Sequence, residues 1–367
     1  MRLIYCTSLA FSDKLANRVQ VHSMAKAFQK KMNGDFYLGV NYKNEEDKNI
    51  KIVCFNANKS YILAWRYLGF IKDKDIENIY CREARLLFFI ILYNKFFFRR
   101  KLNYIYEIHS LLARNHIDGF VDKVLSRFVN RFVFVTKNLQ ERYIKKYKID
   151  ISRALVASDA VDLNIFNLGL TLSEARDRLS LPIDKKILCY AGRFKTMGMD
   201  KGIGDIIKAI EILNNDHMLF LAVGGSDKEL NFYQNIIEKE GMQKRVWLIG
   251  SRPQTELAIY LQAADMLLMP FPNNEHYAYY MSPLKMFEYM AARRPIVASD
   301  LPSIREILND RNSILVQPND PQKLAQGIKE ALDPEVSEKI SHQAFFDVQN
   351  YTWEKRAEKI LSFISKQ

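Results

Sequence analysis

Lys285 and Glu288 stand three residues apart in the run Ser282-Pro283-Leu284-Lys285-Met286-Phe287-Glu288-Tyr289-Met290-Ala291-Ala292. That spacing puts an ammonium and a carboxylate on one face of a helix. Ser282 offers an N-cap oxygen, and Pro283 suits the first turn because its missing N–H would have no helical partner anyway. Leu284, Phe287 and Ala291 follow at intervals that bury one stripe. A lysine in the first turn sits against the positive end of the helix dipole. An anion above that N-terminus would offset the conflict, because free N–H groups and the ammonium could serve it together. The competing expectation is a solvated ion pair between Lys285 and Glu288.

Further cations fall at strand ends. Gly192-Arg193 closes an apolar run, and Lys201-Gly202 opens the helical pattern after it. A guanidinium offers a bidentate fork and an ammonium a point charge, both suited to phosphate oxygens. Lys195 competes for the same role. Gly224-Gly225 ends the next strand and would let backbone approach a ligand closely. Ser251-Arg252-Pro253 follows the third strand. His109 follows Asn103–Ile108 at its carboxyl end, where open α/β sheets place ligands, although a lone histidine also serves structure. No histidine cluster has metal-ligand spacing, and no metal is predicted. The turn Thr7–Leu15 contains no glycine, which argues against a dinucleotide fingerprint and an NAD-dependent dehydrogenase.

These residues need a scaffold. Beyond a hinge at about 164–182, Ile187–Ala191, Met218–Val223, Val246–Ile249, Met266–Pro270, Ile296–Ala298 and Ile314–Val316 have the apolar character of strands, and Ile304–Leu308 continues the pattern. Ile203–Leu213, Lys228–Lys239 and Thr255–Ala263 between them are amphipathic. Repeated βα units with apolar strands predict a parallel sheet covered on both faces, an α/β fold. The N-terminal half is less regular. Its expected strands are Leu3–Cys6, Phe36–Val40, Lys51–Asn56, Asn103–Ile108, Arg131–Thr136 and Ala154–Ala157, among helices at Asn17–Lys31, Tyr61–Phe70, Glu83–Tyr93, Phe120–Phe128 and Asn138–Tyr147.

A length of 367 residues suggests two domains, and 48% hydrophobic residues suffice for two cores. The formal net charge of +12 favours anionic partners. Cys6, Cys54, Cys81 and Cys189 form no close pair, which suggests free thiols in a reducing cytoplasm. The apolar run at the N-terminus is too short for a signal peptide, and no stretch approaches membrane-spanning length. The chain is expected to be cytoplasmic. Leu86–Lys101 is the most unusual segment. Its apolar run ends in Phe96, Phe97 and Phe98, followed by Arg99, Arg100 and Lys101. Such an end could dip into an anionic inner-membrane surface, with Leu86 beginning the apolar part; the alternative is a packed helix with a solvated cationic end. No specific nucleic-acid motif is present.

The run Ser-Pro-Leu-Lys-x-Phe-Glu-Tyr-Met-Ala at 282–291, with Pro-Ile-Val-Ala-Ser-Asp-Leu-Pro-Ser-Ile-Arg-Glu at 295–306, resembles the donor-site segment of retaining glycosyltransferases of family 4. The resemblance implies the GT-B fold, two facing Rossmann-like domains with parallel sheets and an interdomain cleft. Domains at 1–163 and 164–348 are expected, and a terminal helix at 349–367 that crosses back, with Trp353 as its packing anchor. The implied reaction moves a sugar, without a metal, from a UDP- or GDP-sugar to a hydroxyl on a glycan or lipid-linked acceptor, with retained configuration. Glu288 would bind the ribose, and Arg193 and Lys201 would clamp the diphosphate. Ser282, Pro283, Leu284, Lys285, Gly192 and Gly225 would surround the nucleotide, and Arg252 would frame the base. Asn273–Met281, with His276, would wall the sugar. Tyr106-Glu107-Ile108-His109-Ser110 resembles the segment carrying a histidine near the transferred sugar, and Asn17 and His22 would face the acceptor. The family's usual second glutamate, eight positions before Glu288, is Tyr280 here. Two rivals share some of these features: a GT-B sugar-nucleotide epimerase, and a non-catalytic basic protein binding membrane or nucleic acid.

Overall fold

The computed structural model describes residues 1–11, 16–43, 47–57, 59–111, 116–196 and 198–366. The chain divides into two compact units, Met1–Asp159 with Trp353–Gln367, and Ala160–Thr352. The passage between them comes slightly before the expected 163/164 boundary. Val161 already belongs to the second unit, donating its N–H to Tyr351 O at 2.9 Å.

The N-terminal unit is built on seven parallel strands. Their order is Ile52–Cys54, Phe36–Val40, Leu3–Cys6, Asn78–Cys81, Asn103–Ile108, Arg131–Phe134 and Ala154–Val156. Chain order reverses between Leu3–Cys6 and Asn78–Cys81, the kind of crevice where doubly wound sheets hold ligands. Leu3–Cys6 is buried throughout, as a central strand covered on both faces must be. The strand Asn78–Cys81 was not legible in the sequence. Asn-Ile-Tyr-Cys is too short to carry a period, and its state follows from pairing with Leu3–Cys6 on one side and Asn103–Ile108 on the other. Cys6, Cys81 and Cys189 are buried free thiols, whereas Cys54 is exposed.

The terminal helix Trp353–Ser365 completes this unit. Trp353 is buried as expected, but the charged anchor is Arg356. Its Nη2 lies 3.2 Å from Glu107 Oε1, and its Nε donates to Ser158 O at 2.9 Å. The helix Ala84–Tyr93 runs on into a π-turn, Asn94–Phe98. Leu86 is fully buried, so it cannot belong to a membrane-facing surface; Phe96 and Phe97 are exposed.

The C-terminal unit carries six parallel strands in the order Val246–Gly250, Met218–Gly225, Lys186–Ala191, Met266–Met269, Ile296–Ser299 and Ile314–Val316. Alternate residues of the first strand feed opposite cores. Ile187, Cys189 and Ala191 enter one apolar cluster, and Leu188 and Tyr190 the other. Ile304 lies in a short helix, Pro302–Arg305, rather than extending the strand pattern. Pro302 presets the first-turn φ there. The order again reverses beside the first strand, between Lys186–Ala191 and Met266–Met269.

Candidate functional site

The reversal point of the C-terminal sheet gathers the expected phosphate residues. After Ala191 the chain turns at Gly192, whose φ of +109° suits glycine and whose N–H donates to Val223 O at 2.7 Å. A Cβ on Gly192 would lie 3.3 Å from Lys285 Cε and Nζ, so the lysine stem rests against this backbone. Gly202 (φ +93°) opens the helix Ile203–Leu213 against the end of the fourth strand; a Cβ there would fall 1.9 Å from Pro270 O. The intervening loop is a small hairpin, Lys195–Thr196 against Met199–Asp200, with Met197 outside the described residues. Asp200 accepts the N–H groups of Gly202 and Ile203 and the hydroxyl of Tyr233. Those bonds fix Lys201 between hairpin and helix. Lys195, the competing cation, has its Nζ 3.9 Å from the Phe232 ring centroid. The space beside Gly225 is taken by Phe194 and Leu230, giving that glycine a packing role.

The helix beyond the fourth strand starts one residue later than expected. Leu284–Ala291 is helical, and Pro283 is the N-cap (φ −77°, ψ 126°) without a side-chain cap bond, so Ser282 lies before the cap. Burial is not confined to one stripe. Lys285 through Ala291 are all buried, and Leu284 is only half-buried. Ala191 N donates to Tyr289 Oη at 2.7 Å, which ties the helix to the first strand and presses its polar residues inward. The expectation of a solvated Lys285–Glu288 pair is thereby overturned. Lys285 is 8% and Glu288 7% exposed, and no ion pair joins them. Lys285 Nζ stands 3.5 Å from the Tyr190 ring centroid and makes no hydrogen bond. Glu288 Oε1 accepts from Gln254 Nε2 at 3.2 Å.

The electrostatics point one way. Burial, reinforced by the charge of Lys201, pushes the Lys285 amine well below its ordinary pKa. Burial and then Arg193 bring Lys201 down to about 8, against the pull of Glu229. Burial and Lys201 likewise lower His276, whose Nδ1 is buried without a hydrogen bond. Glu288 is pushed up to about 7 by burial, against Gln254 and Lys285. Arg193, Lys201 and Lys285 therefore crowd each other without a carboxylate paired to any of them among the described residues. An entering anion would relieve that crowding, and a phosphate group has the charge and oxygen count to do so. One consequence is measurable. Affinity for a nucleoside diphosphate should fall about tenfold from pH 7 to pH 9, as Lys201 loses its proton. Calorimetry should detect proton uptake on binding in this range, and Lys201→Arg should flatten the profile.

Other expected residues have different partners. Arg252 is exposed and pairs with Glu256 at 2.8 Å. Tyr280 donates its hydroxyl to Glu275 Oε1 at 2.5 Å. His22 Nε2 lies 2.8 Å from Asp47, which Lys26 also approaches at 3.0 Å. The side chain of Asn17 lies outside the described residues. An Asp-x-Asp triplet, Asp73-Lys74-Asp75, escaped the sequence reading; it closes the helix Ser60–Asp73, with Asp73 beside Lys74 and Asp75 paired to Arg100. Among the described residues no group of three or more His, Cys, Asp or Glu could hold a metal ion.

In the N-terminal unit, His109 does follow its strand. Its Nε2 lies 2.6 Å from Glu107 Oε1. Glu107 is fully buried and also meets Gln20 Nε2 at 2.5 Å, the Tyr80 hydroxyl and Arg356. Burial opposes the Glu107 charge, but Arg356, His109 and Arg82 hold its carboxyl well below the usual range. Burial and Arg82 push His109 below its ordinary pKa despite Glu107, which favours a neutral ring held by one nitrogen. Gln254, Tyr289, Gln20 and Arg356 were missed as site-shaping residues. Only Tyr289 carried a signal, as a hydroxyl next to Glu288 in the donor-site run.

Comparison with known proteins agrees with this geometry. Residues 173–345, within the C-terminal unit, match the family model described as glycosyl transferases group 1. A D-inositol 3-phosphate glycosyltransferase of Corynebacterium efficiens is 25% identical over 234 residues, covering 61% of this chain and 53% of that protein. A Bacillus subtilis protein assigned to teichuronic acid biosynthesis as a glycosyltransferase is 28% identical over 204 residues, covering 51% and 47%. The chain thus spans about half the length of the curated relatives it matches. Among solved structures, Anabaena HepE in complex with UDP aligns over 100% of both chains with a TM-score of 0.80 at 17% identity. A glycosyltransferase from Rickettsia africae gives 0.80 at 16%, over 100% of this chain and 98% of that one. The fold is that of GT-B proteins, with two Rossmann-like units and parallel sheets.

Proposed function

We propose that this protein is a retaining glycosyltransferase that moves a sugar from a nucleotide-sugar to a hydroxyl of a glycan or lipid-linked acceptor, without a metal. The observation that carries this reading is the buried, hydrogen-bond-free amine of Lys285 beside Lys201, a group whose charged form an entering anion would favour. Such a group costs stability unless an anion completes it. Arg193, Lys201 and Lys285 would hold the donor diphosphate, and Glu288 would accept hydrogen bonds from the ribose hydroxyls. The bond from the anomeric carbon to the phosphate oxygen breaks as the acceptor oxygen bonds to that carbon from the same face. The acceptor's proton goes to the departing phosphate oxygen, whose negative charge the three cations stabilise. His109, neutral and oriented by Glu107, is suited to hydrogen-bond a sugar hydroxyl through its free nitrogen. The UDP and UDP-glucose bound by HepE make a uridine donor the first to test.

A thermal-shift panel of nucleotide-sugars in excess EDTA tests the reading, because a ligand binding only the folded state raises its melting temperature. One donor class should raise it, and incubation with acceptor should release the nucleoside diphosphate, which epimerisation would not. Glu288→Gln, measured above pH 7, should weaken nucleotide binding about ten- to a hundredfold, since charge-assisted hydrogen bonds contribute about 1.5–3 kcal/mol. Tyr280→Phe should change it far less, because that hydroxyl is directed at Glu275. Tight binding by Glu288→Gln together with loss in Tyr280→Phe would show that the ribose contact belongs to another residue and sink this assignment.

A further inference from the structure

The N-terminal unit carries an aromatic face that its own core does not use. Tyr61, Ile62 and Trp65 on the helix Ser60–Asp73, Phe96 and Phe97 on the π-turn, and Phe120 on the helix His116–Phe128 are all exposed, Phe97 at 65% and Phe120 at 60%. Tyr61, Trp65, Phe97 and Phe120 are linked by ring contacts through Phe88, Phe89 and Tyr93, with Ile62 and Phe96 exposed beside them in sequence. Trp65 lies 5.5 Å from Phe97 and 5.7 Å from Tyr93; Tyr61 lies 6.1 Å from Phe89, and Phe88 joins Phe89 to Phe120 at 5.4 and 6.4 Å. A continuous apolar patch contributed by separate elements marks an interaction surface rather than scattered exposure.

Charge identifies what it meets. The N-terminal unit holds 33 Lys and Arg against 17 Asp and Glu, whereas the C-terminal unit holds 21 against 25. The whole positive excess of the chain therefore lies in the unit with the aromatic face. Cations border the rings directly: Lys59 Nζ is 5.7 Å from the Tyr61 centroid and Lys95 Nζ 4.9 Å from that of Phe128. Arg99 and Lys101 are exposed just past the π-turn, as are Lys123 and Arg127 on the helix of Phe120. Asp118, the acid on that helix's first turn, is paired with Arg85 at 2.8 Å. No helix among the described residues is long and apolar enough to cross a membrane.

We propose that this face docks on an anionic lipid bilayer, with the rings seated at headgroup depth and the flanking lysines and arginines on lipid phosphates. The surface spans three elements and excludes Leu86, so it differs from a simple insertion of residues 86–101. It does not rest on the proposed glycosyl transfer. Flotation of the full chain with vesicles of phosphatidylcholine alone, or with 30% phosphatidylglycerol, tests it. The protein should float with the anionic vesicles, and Trp65 emission should shift to the blue. Phe96→Ser with Phe97→Ser, and separately Arg99→Glu with Lys101→Glu, should each lower partitioning at least tenfold without changing the melting temperature. Unchanged flotation of the phenylalanine variant would reduce the effect to diffuse charge attraction and overturn the proposal. So would absence of flotation, or an oligomer that the phenylalanine variant abolishes, which would assign the face to a second copy.

Discussion

Lys285→Met is expected to stabilise the ligand-free protein while lowering its affinity for a nucleoside diphosphate about ten- to a hundredfold. The two effects share one cause. The amine is buried over Tyr190 without a hydrogen bond, and burial pushes its pKa well below that of an unfolded lysine. Replacing a buried, unpaired basic group by an apolar side chain of similar length removes its desolvation cost, so folding stability should rise by about 1–4 kcal/mol. Sign follows from proton counting: the unfolded lysine binds the proton more tightly, so wild-type stability rises with pH, and the advantage of the variant should shrink toward pH 10. Methionine keeps the stem packed against Gly192 but offers the phosphates nothing. Denaturant melts and calorimetric titration check the two halves. A variant that melts earlier would mean the amine has a stabilising partner, and one that binds nucleotide normally would remove Lys285 from the site.

Arg356→Met should have the largest effect on stability, about 3–5 kcal/mol, because it strands the buried Glu107 carboxylate. Tyr80, Gln20 and His109 would still contact Glu107, but the full guanidinium charge would be gone. In the parent, Glu107 lies below its unfolded value, so its contribution is present above about pH 4.3 and lost in acid. In the variant the carboxyl should instead rise, and the stability gap should narrow as pH falls. Adding Glu107→Gln should recover part of the loss. A cost under about 1 kcal/mol would show that Arg82 suffices as counter-ion. The same pair positions His109, so the variant also separates a stability role from an orienting one: the imidazole nuclear magnetic resonance shifts should change in Arg356→Met and return in the double variant.

The sequence by itself determined the doubly wound character of the C-terminal half. Val, Ile, Leu and Met runs such as Met218–Val223 are buried on both faces, and strands of that kind need no partner information to be recognised. Local turn chemistry placed Gly192-Arg193 and Lys201-Gly202 at the ends of their elements, because strand ends and helix starts are short-range events. Asn78–Cys81 became a strand only through its two neighbours, and the pairing partners lie dozens of residues away in the chain. Whether Lys285 and Glu288 met solvent or each other was equally invisible, since spacing of three allows both. Tyr289 reaching back to Ala191 decided it, by turning that helix face into the protein. Glu107 and Arg356 are separated by most of the chain, so their pairing, and the neutral histidine it holds, belong to the tertiary structure alone. Local spacing fixes which groups share a face; the long-range packing of other elements fixes whether that face sees water, and burial is what turns a charge into a binding site.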